Sequence, residues 1–244
     1  MQYGVVRRVV ALLALVVTGT ASGAVTDGSS HGRSAGEIAV SRLAGYGAVV
    51  YCGGRASRLV ALTFDDGPSV NTQRIAATLH RFHARGTFFL VGERLRFWHG
   101  ALRAAASAGA IGDHTWTHRS LRKLGARGLR AEIGRTRAAE IVSTGRRINL
   151  FRPPYGVRTR RGAAYVRALG MLQVLWDVAD SGTGIRPGSI VLLHETHAET
   201  LPLLRRILRD LRRRGLRAVT VPELLANARP RLTHDADGLR SDCR

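Results

Sequence analysis

The chain has 244 residues, of which 45% are hydrophobic and 23% are charged. This length and composition suit one or two globular domains, and they exclude a mostly disordered chain, a collagen-like repeat and a polytopic membrane protein. The charge is unusual, because 38 basic residues outnumber 17 acidic residues and give a formal net charge of +21. Such a charge favours polyanionic surroundings, which could be nucleic acid, anionic lipid or an acidic cell-wall polymer.

The first 24 residues have the pattern of a secretory signal peptide. Arg7 and Arg8 precede a short apolar run at 9–17, and small residues follow as far as Ala24. This order predicts cleavage near Ala24 and a secreted or cell-wall-associated protein. The alternatives are a buried N-terminal helix or an uncleaved anchor. Residues 25–50 begin with glycine, serine and small polar residues, and we expect them to form a linker.

The two cysteines suggest one disulfide in an exported protein. Cys52 comes just before the first strong strand pattern, and Cys243 lies in residues 229–244, which we expect to be a C-terminal tail. An even number of cysteines in an oxidising compartment predicts that the two are bonded. Unpaired or intermolecular thiols are the alternative. The bond would tie the tail back to the start of the main domain, predicted at 51–228.

Strand and helix patterns alternate along this main domain. Ile75, Leu79 and Phe82 recur at helical spacing after the first strand, and other helical patterns separate most of the later strands. The alternation predicts parallel βαβ units, arranged as an open doubly wound sheet or as a (β/α) barrel. The strand-like runs are at 59–64, 87–91, 110–112, 149–151, 172–176, 190–193 and 217–221.

Polar residues of the types used in catalysis follow most of these strands. Both candidate architectures place function at the carboxyl ends of parallel strands, so the side chains there are expected to converge on one active site. The residues at these positions are Asp65, Asp66, His114, His118, Arg152, Asp177, Asp180 and His194.

Three of these residues could form a metal site. One carboxylate and two imidazoles are a ligand set for a catalytic zinc ion with an open position. His114 and His118 are four residues apart and would share one face if the segment turned helically, and Asp66 could be the third ligand. Asp65, the neighbour of Asp66, would remain free as a base. A polar turn and a surface histidine pair are the alternatives.

Four motifs occur in an order that resembles a known family. They are TFDDGP at 63–68, HTWTH at 114–118, RPPYG at 152–156 and LLHE at 192–195. Over residues 57–228 the chain resembles the polysaccharide deacetylases, also called the NodB-homology domain or carbohydrate esterase family 4. The resemblance implies an α/β fold, a distorted (β/α)7 barrel with parallel strands. It also implies a divalent metal ion, most often Zn²⁺, and removal of N- or O-acetyl groups from a polysaccharide.

The resemblance also implies a role for each matching position. A metal ion would polarise the acetyl carbonyl and activate a water molecule, while a base and an acid would carry the two proton transfers. The implied roles are Asp65 as the base, Asp66, His114 and His118 as metal ligands, Arg152 as the residue that orients the base, Tyr155 as the donor of an oxyanion-hole backbone N–H, and His194 as the general acid.

One segment departs from the family pattern. After the fifth strand the family carries an aspartate that pairs with the acid histidine, followed by a second acidic residue and a tryptophan. Here Ala179 stands at the expected position and no tryptophan follows. Asp180 could substitute through a one-residue bulge, with Asp177 as the second choice. If neither reached His194, reduced activity or a degenerate enzyme would result.

The leading hypothesis is an exported, metal-dependent deacetylase of peptidoglycan or a chitin-like polymer. A catalytically silent glycan-binding module and an acetylxylan esterase are the alternatives. Nucleic-acid binding is not expected, because no recognition motif supports it and export argues against it. The basic surface would instead dock on an anionic cell wall, and no stable protein partner is implied. His197 is expected to lie on a solvated turn.

Overall fold

The structure is a computed structural model that describes residues 32–243, so the expected signal peptide lies outside the described residues. The strands are β1 (Val49–Val50), β2 (Leu59–Gly67), β3 (Gly86–Leu90), β4 (Gly109–Asp113), β5 (Leu150–Phe151), β6 (Leu172–Val174), β7 (Ile190–His194), β8 (Arg217–Val219), β9 (Arg231–Asp235) and β10 (Gly238–Asp242). The α-helices are α1 (Ala35–Gly45), α2 (Thr72–Arg81), α3 (His99–Ala108), α4 (Ala126–Leu129), α5 (Arg135–Thr144), α6 (Arg160–Ala168), α7 (Thr200–Arg213) and α8 (Val221–Asn227). The seven strand runs expected from the sequence correspond to β2–β8.

The strands form one curled, mostly parallel sheet. Its order is β7-β2-β3-β4-β5-β6-β1-β10-β9, with β8 paired to β2, and only β9 and β10 pair antiparallel. The backbones of Cys52, just after β1, and Ser189, just before β7, pair in an isolated β-bridge. The sheet therefore curls so that its β1 and β7 ends come together. The distorted (β/α) barrel is therefore confirmed, and the open doubly wound sheet is wrong.

Side chains of β2 alternate between two hydrophobic clusters. Val60, Leu62 and Phe64 pack with the helices on one face, whereas Ala61 belongs to a second cluster that includes residues of α1 and α8. This alternation is the period of two that a strand imposes on its side chains. Asp65 lies four residues after Ala61 on the same strand, so its side chain is on the same face of the sheet as that of Ala61.

Part of the expected linker is a helix. Ser34 caps α1 by accepting a hydrogen bond from the Glu37 N–H, and the Glu37 carboxylate accepts one from the Ser34 N–H, which together form a capping box. Val40 and Leu43 are buried, and α1 contacts α8. The helix forms because α8 covers its apolar side, so residues 35–45 belong to the folded unit.

The expected C-terminal tail is also ordered. β9 and β10 form a hairpin that extends the sheet beside β1. Cys52 and Cys243 are disulfide-bonded with their Cα atoms 5.8 Å apart, which confirms the predicted pair. The bond joins the end of the hairpin to the segment after β1. In the part of the chain that the structure describes, no helix is long and apolar enough to cross a membrane.

Candidate active site

Two adjacent aspartates lie at the carboxyl end of β2 and point to different partners. The Asp65 side chain is 3% exposed and lies against Arg152, whereas the Asp66 side chain is 20% exposed and lies against two histidines. Asp66 has a left-handed backbone, with φ of 67°. This conformation, together with the alternation along the strand, separates the two carboxylates.

His114 and His118 come together without a helix. The segment after β4 is a tight loop in which Thr115 and His118 have left-handed φ values of 67° and 57°. The two imidazole rings lie 4.9 Å apart, centroid to centroid. The helical turn considered from their spacing is therefore wrong, and the loop conformation brings the rings together instead.

The Asp66, His114 and His118 cluster fits a divalent metal ion. The Asp66 Oδ1 atom lies 3.6 Å from His114 Nε2 and 3.2 Å from His118 Nε2. These separations are close to the edge of a zinc tetrahedron, about 3.3–3.6 Å for bonds of about 2.0–2.2 Å. Within the described residues, Asp66 Oδ1 is buried and has no hydrogen-bond partner, as expected of an atom that faces a cation.

His114 is held in the form that binds a metal ion. Its Nδ1–H donates a hydrogen bond to the Arg152 carbonyl, 2.7 Å away, which leaves the Nε2 lone pair facing Asp66. Burial, together with the smaller effect of the nearby His118, lowers the pKa of His114 to about 3. The imidazole is therefore neutral at pH 7, and neutral imidazole is the ligand form.

Arg152 fixes the position of the Asp65 carboxylate. It is fully buried, and its Nη1 donates to Asp65 Oδ1 and to Thr63 Oγ1 at 2.7 Å each. Its other N–H groups donate to the carbonyls of Val174 and Leu175. Burial raises the pKa of Asp65, although the Arg152 charge opposes the shift. The Asp65 carboxylate is consequently a stronger base than the carboxylate of a solvent-exposed aspartate.

Asp180 is the carboxylate that reaches the His194 imidazole. Its two oxygens lie 2.9 and 3.1 Å from His194 Nδ1. This hydrogen bond raises the pKa of His194, although partial burial opposes the shift. Asp177, the second choice from the sequence, instead accepts from the Ile190 N–H at 2.8 Å and from Ser189, so that alternative is wrong.

Tyr155 lies at the rim of the site. It has a left-handed φ of 61°, its side chain is exposed, and its ring meets His118 edge-on at 4.7 Å. Asp66, Thr115, His118 and Tyr155 are four of the five non-glycine residues with positive φ in the described chain. Such conformations cost on the order of 1–3 kcal/mol each, and they cluster where function requires a particular geometry.

The sequence patterns did not reveal the residues that support the loop after β4, which carries His114 and His118. Glu132 accepts hydrogen bonds from the Thr117 N–H and hydroxyl at 2.8 and 2.7 Å, and Asp113 accepts one from the Thr115 N–H at 2.7 Å. Both carboxylates are buried. Glu132 could have been found from the sequence, because it shares a helical face with Leu129 and Thr136. If that face is buried, an acidic side chain on it needs a hydrogen-bond partner, since burying an unpaired carboxylate is costly.

Glu195 was also missed, although it follows His194 directly in the chain. Its carboxyl group is buried, accepts a hydrogen bond from the Thr72 hydroxyl and fills the space that a Cβ on Gly67 would need. Burial raises the pKa of Glu195 to about 8, so the group is mainly protonated at pH 7. Its backbone carbonyl accepts from Asn71 Nδ2 at 2.8 Å, which ties the start of α2 to β7.

Comparison with known proteins identifies the family. The polysaccharide deacetylase family model matches residues 53–174. The peptidoglycan-N-acetylglucosamine deacetylase of Bacillus cereus is 30% identical in an alignment 192 residues long, which covers 70% of this chain and 70% of that protein. The crystal structure of the Bc1960 peptidoglycan N-acetylglucosamine deacetylase has a TM-score of 0.69 and 27% identity, covering 73% of this chain and 92% of that one. The chain belongs to the polysaccharide deacetylase family.

A longer relative matches this chain over only part of its own length. The peptidoglycan-N-acetylglucosamine deacetylase PgdA of Listeria monocytogenes is 30% identical over 186 residues. The match covers 70% of this chain but only 39% of the Listeria protein. This chain therefore spans less than half the length of that relative.

Proposed function

We propose that this chain is an exported, metal-dependent deacetylase that hydrolyses N-acetyl groups of peptidoglycan or a chitin-like polymer. The observation that carries the proposal is the position of Asp65 and His194. They are register partners at the ends of the adjacent strands β2 and β7, next to the cluster of Asp66, His114 and His118. A base, an acid and a metal-ligand set therefore share one edge of the sheet.

Asp66, His114 and His118 would hold the metal ion. When bound, a divalent cation such as Zn²⁺ polarises the acetyl carbonyl and makes a bound water easier to deprotonate. Asp65 accepts the proton of the attacking water, and Arg152 keeps its carboxylate aimed at the site through the 2.7 Å contact. The Tyr155 backbone N–H supplies a donor for the developing negative charge on the acetyl oxygen.

His194 donates the second proton. The departing sugar amine is a poor leaving group until it is protonated, so amide cleavage needs an acid at this position. Asp180 accepts a hydrogen bond from His194 Nδ1–H and stabilises the imidazolium. The other N–H of the ring, at Nε2, can then donate its proton to the substrate. The altered segment after β6 therefore retains the acid's partner, and this supports an active enzyme over the silent module.

The substrate and the location are separate parts of the proposal. The Bacillus and Listeria relatives are named peptidoglycan-N-acetylglucosamine deacetylases, which supports a cell-wall glycan as substrate. The pattern of residues 1–24 and the Cys52–Cys243 disulfide support export. N-terminal sequencing of the protein recovered outside the cell should begin near residue 25, and a sequence that began at Met1 would contradict cleavage.

Acetate release tests the activity directly. The full chain, loaded with one equivalent of Zn²⁺, is incubated with peptidoglycan, chitin oligomers and acetylated xylan, with and without a chelator. We expect chelator-sensitive acetate release from an N-acetylated glycan. Release from xylan alone would favour the esterase. Release from none of them by a protein that retains zinc would favour the silent module.

A further inference from the structure

A second group of metal-binding side chains lies beside the proposed acid. Asp180, His194 and His197 each offer a ligand atom, and these atoms all lie within 4.8 Å of one another. None of the three residues is shared with the Asp66 cluster. The sequence predicted a solvated turn at His197, and the residue is indeed exposed, but its ring lies 4.7 Å from the His194 ring.

The turn after β7 brings the two imidazoles together. The His197 N–H donates to the His194 carbonyl at 3.2 Å, so the chain reverses within three residues. The rings are tilted by 32°, and each has a nitrogen within 4.8 Å of an Asp180 carboxylate oxygen. The neighbouring His197 imidazole is not needed to orient His194, because Asp180 already binds the His194 Nδ1 through both oxygens.

This cluster is more open to solvent than the Asp66 cluster. The Asp180 and His194 side chains are 41% and 24% exposed, whereas His114 in the first cluster is 3% exposed. A hydrated cation can therefore reach the group directly, and water can fill its remaining ligand positions. The exposed His197 side chain can rotate to shorten its distance to the other two ligands. An aspartate with two imidazoles suits a transition-metal cation of the zinc type.

We propose that Asp180, His194 and His197 form a second, inhibitory site for a divalent transition-metal cation such as Zn²⁺. The proposal rests on the proposed function, because inhibition follows from the role of His194 as the acid. A cation that binds His194 Nδ1 displaces the proton from that nitrogen, and the proton is released to solvent. The ring then carries only Nε2–H as a neutral ligand, and a neutral imidazole is a far weaker proton donor than an imidazolium. Amide cleavage would stop while the catalytic metal remained in place.

Counting bound zinc tests the site without measuring activity. The full chain is titrated with Zn²⁺ alone, and bound metal is measured by calorimetry and elemental analysis. We expect two Zn²⁺ per wild-type chain, the second more weakly bound, and one per chain in His197→Gln. Asp66→Asn should lose the tighter event and keep the weaker one. A wild type that binds only one equivalent, or a His197→Gln protein that still binds two, would overturn the proposal.

His80→Gln is the matched control. His80 is an exposed histidine on α2, so this variant removes one surface imidazole outside the cluster and should still bind two equivalents. Loss of the second equivalent in this variant as well would show that exposed histidines bind zinc without a defined site, and it would overturn the proposal.

Deacetylation provides the second readout. Each protein's rate at one equivalent of Zn²⁺ is its own reference. Excess Zn²⁺ should slow amide cleavage by wild type and His80→Gln by tenfold or more, toward the loss of about 10²–10⁴ expected when a general acid is removed. His197→Gln should lose less than twofold. Equal inhibition of all three proteins would refute the inhibitory role.

The two readouts separate this site from the proposed function. If wild type releases no acetate but binds two equivalents, with one lost in His197→Gln, the second site stands and the deacetylase proposal fails. If wild type is active but binds one equivalent, the deacetylase proposal stands and the second site fails.

Discussion

Asp65 and Asp66 show how adjacent residues of one type meet different partners. Asp65 Oδ1 is 2.7 Å from a fully buried arginine, and Asp66 Oδ1 is 3.2 Å from an imidazole nitrogen. Two free carboxylates side by side would repel each other and raise one pKa. The left-handed backbone at Asp66 separates the two carboxylates, as the proposed roles of Asp65 as base and Asp66 as metal ligand require.

Substitution of each aspartate should separate these roles. Asp65→Asn removes the proton acceptor, so we expect acetate release to fall by about 10²–10⁴ while one Zn²⁺ stays tightly bound. Asp66→Asn removes a ligand, so we expect both activity and tight zinc binding to be lost. Acetate assays and calorimetry on both variants check this. An Asp65→Asn protein with wild-type turnover would contradict the mechanism.

The Asp180–His194 pair should determine the alkaline limit of activity. The hydrogen bond from His194 to Asp180 raises the pKa of His194, and the acid works only while it is protonated, so activity is present at low pH and is lost as pH rises through that pKa. Asp180→Asn removes the carboxylate charge, although Asp65 and Asp66 still face the ring. We expect the alkaline limb of the rate–pH profile to move to lower pH.

The profile is measured on the protein loaded with one equivalent of Zn²⁺, with amide and ester substrates compared. The ester should respond less, because an alkoxide leaves more readily than an unprotonated amine. An unchanged alkaline limb for the amide in Asp180→Asn would show that Asp180 does not stabilise the acid.

At the scale of elements, β3 and β4 pair through two glycines that approach closely. Gly86 and Gly109 are register partners at the start of these strands. A Cβ on Gly109 would lie 1.7 Å from the Gly86 carbonyl oxygen, which no side-chain rotation can relieve. This contact sets the position of β4, and β4 leads directly into His114.

Gly109→Ala should therefore destabilise the sheet. Backbone atoms must move to admit the methyl group, and we expect the free energy of unfolding to fall by about 1–3 kcal/mol in urea denaturation. Gly45→Ala is the matched control, because a Cβ there meets nothing within 4 Å and its φ is not in the left-handed region. Equal stability of the two variants would contradict the close-approach argument.

At the scale of the whole molecule, the formal charge of +21 remains the dominant electrostatic feature. Arginines supply nearly all of it; Lys123 is the only lysine. The amphipathic helix α7 illustrates how they are arranged, since four of its five leucines are buried while its arginines are exposed. A surface of this sign would concentrate the protein on an anionic cell-wall polymer without taking part in the chemistry.

Binding to isolated anionic wall should consequently weaken with salt. The Debye length falls from about 10 Å at 0.1 M to about 3 Å at 1 M, so we expect affinity to drop by about tenfold or more over that range. Turnover of a short uncharged N-acetylated oligosaccharide serves as the control and should change less than twofold. Wall binding that is equal at both salt concentrations would contradict docking by charge.

The strand pattern, the family and most residues of the candidate site could be predicted from local features of the amino-acid sequence. Apolar runs of strand length separated by helical spacing are local signals, and they located β2–β8 because a buried parallel strand must be apolar along its whole length. The motif residues followed because parallel strands present their carboxyl ends at one edge. The disulfide was also predictable, since only two cysteines are present.

Only the tertiary structure decided which neighbours these residues meet. The sequence favoured Asp180 over Asp177 only as a first choice, and the path of the chain after β6 brought Asp180 to His194, 14 residues away. Helix α1 and the β9–β10 hairpin have weak local patterns and form because α8 and β1 offer surfaces to them. Contacts of this kind depend on segments far apart in the chain, and local propensity and periodicity carry no information about them.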